Sequence, residues 1–157
     1  MIICQYNLPI MKELLYLKDD QLKEFIEKIS MSYRETFSDA KKILDKYSIG
    51  VAHHKVINLI SLYDGITISE LLKKLKITKQ SLNRVLRDLK RLKLVKQIKD
   101  IKDTRRKLLY LDNPGKKFYN EVFEIQKKRI FNALKNSDSE SVIKFKEVLQ
   151  KIINGKK

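Results

Sequence analysis

Apolar side chains recur along residues 20–47 at Leu22, Phe25, Ile26, Ile29, Tyr33, Phe37, Ala40, Leu44 and Tyr47. Steps of three and four over that length predict one long amphipathic helix. Residues 48–50 break the pattern. A second helix is expected over residues 51–63, with Val56, Leu59 and Ile60 inward and Gly65 as its stop.

A compact unit follows. Thr67 and Glu70 have capping-box spacing, in which hydroxyl and carboxylate each satisfy an orphan amide at a helix start. Leu71, Leu72 and Leu75 supply the buried side of that short helix. Thr78 caps a further helix over residues 79–92, and Ile77 and Leu82 have the spacing of a hydrophobic staple that sets the angle between the two helices. Leu82, Val85, Leu86 and Leu89 face inward; Lys79, Gln80, Asn83, Arg84, Arg87 and Arg91 face the other way. Residues 94–99 and 107–111 read as two strands joined by a charged loop without glycine. Asn113 is the expected cap of the next helix, with Pro114 at its first position, where a missing amide costs nothing. Phe118, Val122, Ile125, Arg129 and Ala133 continue it at helical spacing. Ser137 and Glu140 repeat the capping-box spacing ahead of a last helix, whose Val142, Phe145, Leu149 and Ile152 share one side and which stops at Gly155. No internal repeat and no long linker divides the 157 residues, so one domain is expected over 1–157.

Charge changes the picture. Fifteen of the 35 Lys and Arg residues, but only three of the 19 acids, lie in residues 73–107, which hold most of the formal charge of +16. A general enrichment in lysine would spread evenly, yet five of the seven arginines (Arg84, Arg87, Arg91, Arg105, Arg106) fall in this segment. Such clustering is the footprint of a polyanion-binding surface. Four glycines and two prolines argue for long helices over a loop-rich or all-β chain. The one cysteine, Cys4, excludes an internal disulfide and a cysteine-based zinc site, and fits a reducing cytoplasm. No apolar run approaches the roughly 18 residues of a membrane span, and the N-terminus has no secretion-signal pattern. Without a glycine-rich phosphate loop, metal-ligand spacing or a nucleophile beside a base, the chain does not read as an enzyme, and no cofactor or metal is expected.

The order of two helices, helix-turn-helix, charged hairpin and two closing helices resembles the MarR family of winged-helix transcriptional regulators, over nearly the whole chain. The most specific part is Asp103-Thr104-Arg105-Arg106-Lys107, followed by Leu109, Leu111 and Pro114-Gly115, which looks like the family's wing and the start of the helix after it. The run from Thr78 to Leu89, then Leu94-Val95, looks like the recognition helix leading into the first wing strand. One departure is Lys93, where the family commonly has glycine: either Lys93 takes the left-handed backbone or the helix ends differently.

The resemblance implies a mainly α fold, a winged helix-turn-helix with a two-stranded β-wing. Residues 51–111 would form the DNA-binding lobe, and residues 20–47 and 114–154 the dimerisation helices of a cytoplasmic homodimer. In the major groove of double-stranded DNA the expected residues are Thr78, Lys79, Gln80, Ser81, Asn83, Arg84 and Arg87, with Arg84 suited to guanine and Gln80 or Asn83 to adenine. Lys73, Lys74, Arg87 and Lys90 suit phosphates. The wing residues are Lys102, Asp103, Arg105 and Arg106. Arg105 is expected in the minor groove, with Asp103 holding the loop or the base of Arg105. A two-fold dimer sets two recognition helices about 34 Å apart. MarR relatives often bind small aromatic or phenolic molecules, and His53 and His54 lie near where such a cleft would open; the plainer reading is a surface pair at a helix start. The function expected is sequence-specific transcriptional regulation, as a repressor. The alternative is a winged-helix module that binds RNA or an acidic protein partner.

Overall fold

The computed structural model describes residues 16–101 and 103–155, in two compact units that meet between Ser38 and Asp39. The first unit contains helix α1 (Asp19–Ser38), none of whose residues is buried. The second contains α2 (Lys41–Lys46), α3 (Val51–Leu62), β1 (Ile66–Thr67), α4 (Ile68–Leu75), α5 (Lys79–Arg91), β2 (Val95–Lys99), β3 (Lys107–Leu111), α6 (Asn113–Lys135) and α7 (Ser139–Asn154).

The long helix expected over residues 20–47 is therefore two helices. The Ser38 hydroxyl donates back to the Glu35 carbonyl at 2.9 Å, a bond that competes with the helical ladder. Asp39 is held by Arg129, whose Nε and Nη2 donate to its carboxylate at 2.6 and 2.8 Å. Helix α2 begins at Lys41, two residues beyond Asp39.

The core of the second unit gathers Val56, Ile57 and Ile60 from α3, Leu71 from α4, and Leu82, Val85, Leu86 and Leu89 from α5. Leu94, Val95, Leu109 and Leu111 of the sheet and Phe118 and Val122 of α6 complete it. Each such side chain contributes roughly 1.5–3 kcal/mol when fully buried. The sheet is antiparallel with β3 in the centre, flanked by β1 and β2. Its third strand, two residues long, is too short for any period-2 signal; Ile66 opposes Leu109 and fixes the start of α4 against the wing.

Other local expectations shift by a residue or a partner. Gly65 has φ of +78° but sits in the turn into β1, since α3 already ends at Leu62. Asp112, not Asn113, is the N-cap of α6: its carbonyl accepts from Lys116 at 2.8 Å, while its own N–H donates to the Leu94 carbonyl. The last helix is capped by Asp138, which accepts from the Ser141 N–H at 2.8 Å; the Ser137 hydroxyl turns back to the Ala133 carbonyl. Of the expected staple, Leu82 is buried and Ile77 remains exposed. Among the described residues no helix is long and apolar enough to cross a membrane.

Candidate nucleic-acid interface

Helix α5 is fixed at both ends and along one side. At its start the Thr78 Oγ1 accepts from the Ser81 N–H at 3.2 Å. At its end Lys93 adopts φ of +57°, its N–H donates to the Lys90 carbonyl at 3.0 Å, and the Leu94 N–H donates to the Leu89 carbonyl at 2.9 Å. These two bonds make a Schellman motif, with Leu89 and Leu94 buried beneath it. Lys93 thus takes the left-handed backbone that glycine would take freely. Leu82, Val85, Leu86 and Leu89 are buried as expected, so Thr78, Lys79, Gln80, Ser81, Asn83, Arg84 and Arg87 all stand exposed on the opposite side.

Helix α4 supports α5 and begins at the expected capping box. The Glu70 N–H donates to the Thr67 hydroxyl at 3.2 Å, and the Glu70 carboxylate accepts from the Thr67 N–H and hydroxyl at 2.8 and 2.6 Å. The Thr67 hydroxyl, first, then its N–H hold the Glu70 pKa below the usual carboxylate value. Lys76 ends α4 in a left-handed conformation, φ of +52°, which turns the chain into α5. Lys73 and Lys74 lie exposed in the last turn, with the Lys74 Nζ 3.8 Å from the centroid of the Tyr63 ring.

The hairpin is shaped by Asp103. Its carboxylate accepts from the Arg105 N–H at 3.0 Å, and its carbonyl accepts from the Arg106 N–H at 2.9 Å. The bond is thus to the backbone of Arg105, which leaves the guanidinium exposed. The Arg106 Nε lies 4.0 Å from the Asp100 carboxylate. Lys102 falls outside the described residues. Lys99 and Lys107 oppose each other at the outer end of β2 and β3. Like charges directly across a ladder destabilise it, unless a polyanion lies over them. Strand register makes this pair visible, though the sequence pattern alone did not single it out. Arg105, Arg106 and Lys107 also line an open cleft of about 290 Å³ with Thr67, Ile68 and Ser69, which joins the wing to the start of α4.

Ion pairing separates the arginines. Among the described residues Lys79, Arg84, Arg87 and Arg105 form no ion pair, whereas the Arg91 Nη2 lies 3.4 Å from Asp88. Asp88, on α5, also meets the Nε2 of His53 at 3.4 Å, and the Nδ1 of His53 accepts from the Gly50 N–H at 3.2 Å. His53 thus ties the start of α3 to the recognition helix. His54 is no surface residue: it is 2% exposed, near the ring of Phe118, and burial pushes its pKa below the usual value. Among the described residues no cluster of His, Cys, Asp and Glu could hold a metal ion.

Comparison with known proteins gives this arrangement its kin. The family model for MarR matches residues 47–106. The HTH-type transcriptional regulator PetP of Rhodobacter capsulatus is 36% identical over 141 residues, 90% of this chain and 85% of its own length. The chain belongs to the MarR family. Its fold is shared with solved MarR-family structures. A MarR transcriptional regulator from Methanosarcina mazei is 26% identical, with a TM-score of 0.67 over 83% of this chain and 95% of that one. The MepR–DNA complex of S. aureus is 24% identical, with a TM-score of 0.58 over 80% of this chain and 94% of that one. The chain is thus a winged helix-turn-helix regulator with helices on either side of the lobe in sequence. Its Lys93 keeps, at a cost, a left-handed helix end that glycine would take freely.

Proposed function

We propose that this MarR-family chain is a homodimeric, sequence-specific DNA-binding repressor. In this reading α5 enters the major groove and the β2–β3 hairpin follows the adjoining minor groove. One observation carries it: Lys79, Arg84, Arg87 and Arg105, which among the described residues form no ion pair, stand on the exposed side of α5 and at the hairpin. In this reading Arg84 makes paired bonds to guanine, Gln80 or Asn83 to adenine, and Thr78 and Ser81 flank them at the helix start. Lys73, Lys74, Arg87 and Lys90 take phosphates. The MepR relative, solved with DNA, supports a duplex as the partner.

Dimerisation is supported by apolar surface that the second unit leaves open. Ile130, Phe131, Leu134, Phe145, Ile152 and Ile153 of α6 and α7 are exposed, and no residue of α7 is buried. In α1, Leu22, Phe25, Ile26 and Ile29 are exposed as well. A second copy would cover such faces and set two recognition helices about 34 Å apart. A small aromatic or phenolic effector belongs to the same reading; His53, bridging α3 to α5 through Asp88, is a residue through which it would act.

Selection of bound duplexes from a random pool tests the proposal. A consensus with two half-sites one helical turn apart is expected, with Arg84→Ala relaxing base preference and Lys74→Ala weakening all sequences alike. Flat enrichment, or a monomer by light scattering at micromolar concentration, would overturn it. RNA preferred over duplex would favour the interaction-module alternative.

A further inference from the structure

The hairpin tip carries an apolar side chain among its charges. Ile101 is 97% exposed, more than any other large apolar residue described. The fold of the hairpin has no use for it. The Asp100 N–H donates to the Arg106 carbonyl at 3.0 Å and closes the ladder just before Ile101, while Asp103 makes the bonds that shape the turn. Ile101 is the first residue inside that closure and Arg105 the last, so the two flank the mouth of the tip. Ile98, 48% exposed, lies behind it on β2. A stiff β-branched side chain and an arginine, both exposed at the mouth of a cationic hairpin tip, have together the chemistry of a minor-groove wedge. The cations follow the phosphates, and the apolar group loses its contact with water only by pressing on sugars and base edges.

We infer that Ile101 is a specificity-determining residue: it enters the minor groove beside Arg105 and partly unstacks the base step below it. The steps that yield most easily are pyrimidine–purine steps, above all TA, so the wing would select flexible sequence without a hydrogen bond to any base. A second copy of the chain fits this surface poorly, because two tips of like charge repel and one side chain offers too little area. The inference rests on the duplex-binding reading above.

The test uses the duplex recovered by selection, in two forms with either a TA step or a stiff A-tract beneath the wing. Ile101→Ser should lower affinity for the TA form about tenfold, the effect of uncovering part of an isoleucine. It should reduce the bend read by energy transfer between dyes at the duplex ends, and erase the preference for TA over the A-tract. The slope of log affinity against log salt should not change, since no charge is lost; Arg105→Ala should reduce that slope by about one. Ile101→Leu should retain most of the affinity and the bend. If Ile101→Ser binds and bends both duplexes as the unaltered chain does, while Arg105→Ala weakens binding, the wedge is wrong and the duplex reading stands. If the unaltered chain selects no duplex at all, both fall together.

Discussion

Gly115, in the first turn of α6, lies against the backbone carbonyl of Leu94: a Cβ placed on it would stand 1.9 Å from that oxygen and 2.9 Å from the carbonyl carbon. The same oxygen accepts from the Asp112 N–H at 3.1 Å. The end of the recognition helix, the base of the wing and the start of α6 are therefore locked through one peptide group.

Neither partner at this contact can yield cheaply, because both are backbone. Gly115→Ala should destabilise the chain by about 3 kcal/mol, at the upper end of overpacking costs. The melting temperature should drop by roughly 10 °C for a domain of this size. A melt within 2 °C of the unaltered chain would show that α6 and Leu94 separate more easily than their geometry implies.

Lys93 calls for the opposite change. With φ of +57° inside a complete Schellman motif, it holds a conformation that costs an L-residue about 1 kcal/mol and glycine little. Lys93→Gly should raise the melting temperature by roughly 3 °C. A lower one would mean that the cation at the helix C-terminus matters more than the strain. That outcome is measurable by repeating the melt in high salt, which screens the charge.

The sequence exposes these features unevenly. The Thr67–Glu70 box, the Thr78 cap and the buried stripe of α5 are legible because each is decided within one or two helical turns. The position of Asp103 also declares itself, since an aspartate two residues before an arginine amide makes a local turn. What could not be read depends on distant partners. Asp39, just past the end of α1, is paired with Arg129, 90 residues further on, whereas helical spacing alone places Arg129 in an apolar stripe. The need for glycine at 115 appears only when Leu94 comes beside it. His54 reads as half of a surface pair at a helix start, yet it is packed with Phe118 in the core, a partner distant in sequence. Ile101, a lone apolar residue in a charged loop, carries no periodic signal.

The Asp39–Arg129 pair makes two short bonds, with side chains 20% and 44% exposed. Arg129, through its hydrogen bond first, holds the Asp39 pKa below the usual carboxylate value. Solvent screening at the exposed guanidinium limits what the pair contributes, so a double-mutant cycle with Asp39→Ala and Arg129→Ala should return a coupling of about 1 kcal/mol, shrinking in high salt. A coupling near zero at low salt would show that the turn after α1 holds without the ion pair.

His54 gives the fold a pH dependence whose sign is set by its burial. Desolvation lowers its pKa in the folded state below the ordinary 6.5, so the native protein keeps the ring neutral where the unfolded chain already binds a proton. Stability should therefore be full above pH 6.5 and fall as the pH drops below it. The loss approaches about 1.4 kcal/mol per pH unit while only the unfolded state is protonated. His54→Leu keeps an apolar side chain beside Phe118 and removes the titration. Denaturant melts of both proteins between pH 7.5 and 5 should show the stability of the unaltered chain sinking relative to the variant in this window. Parallel curves would mean that His54 is reached by water and protonated in place.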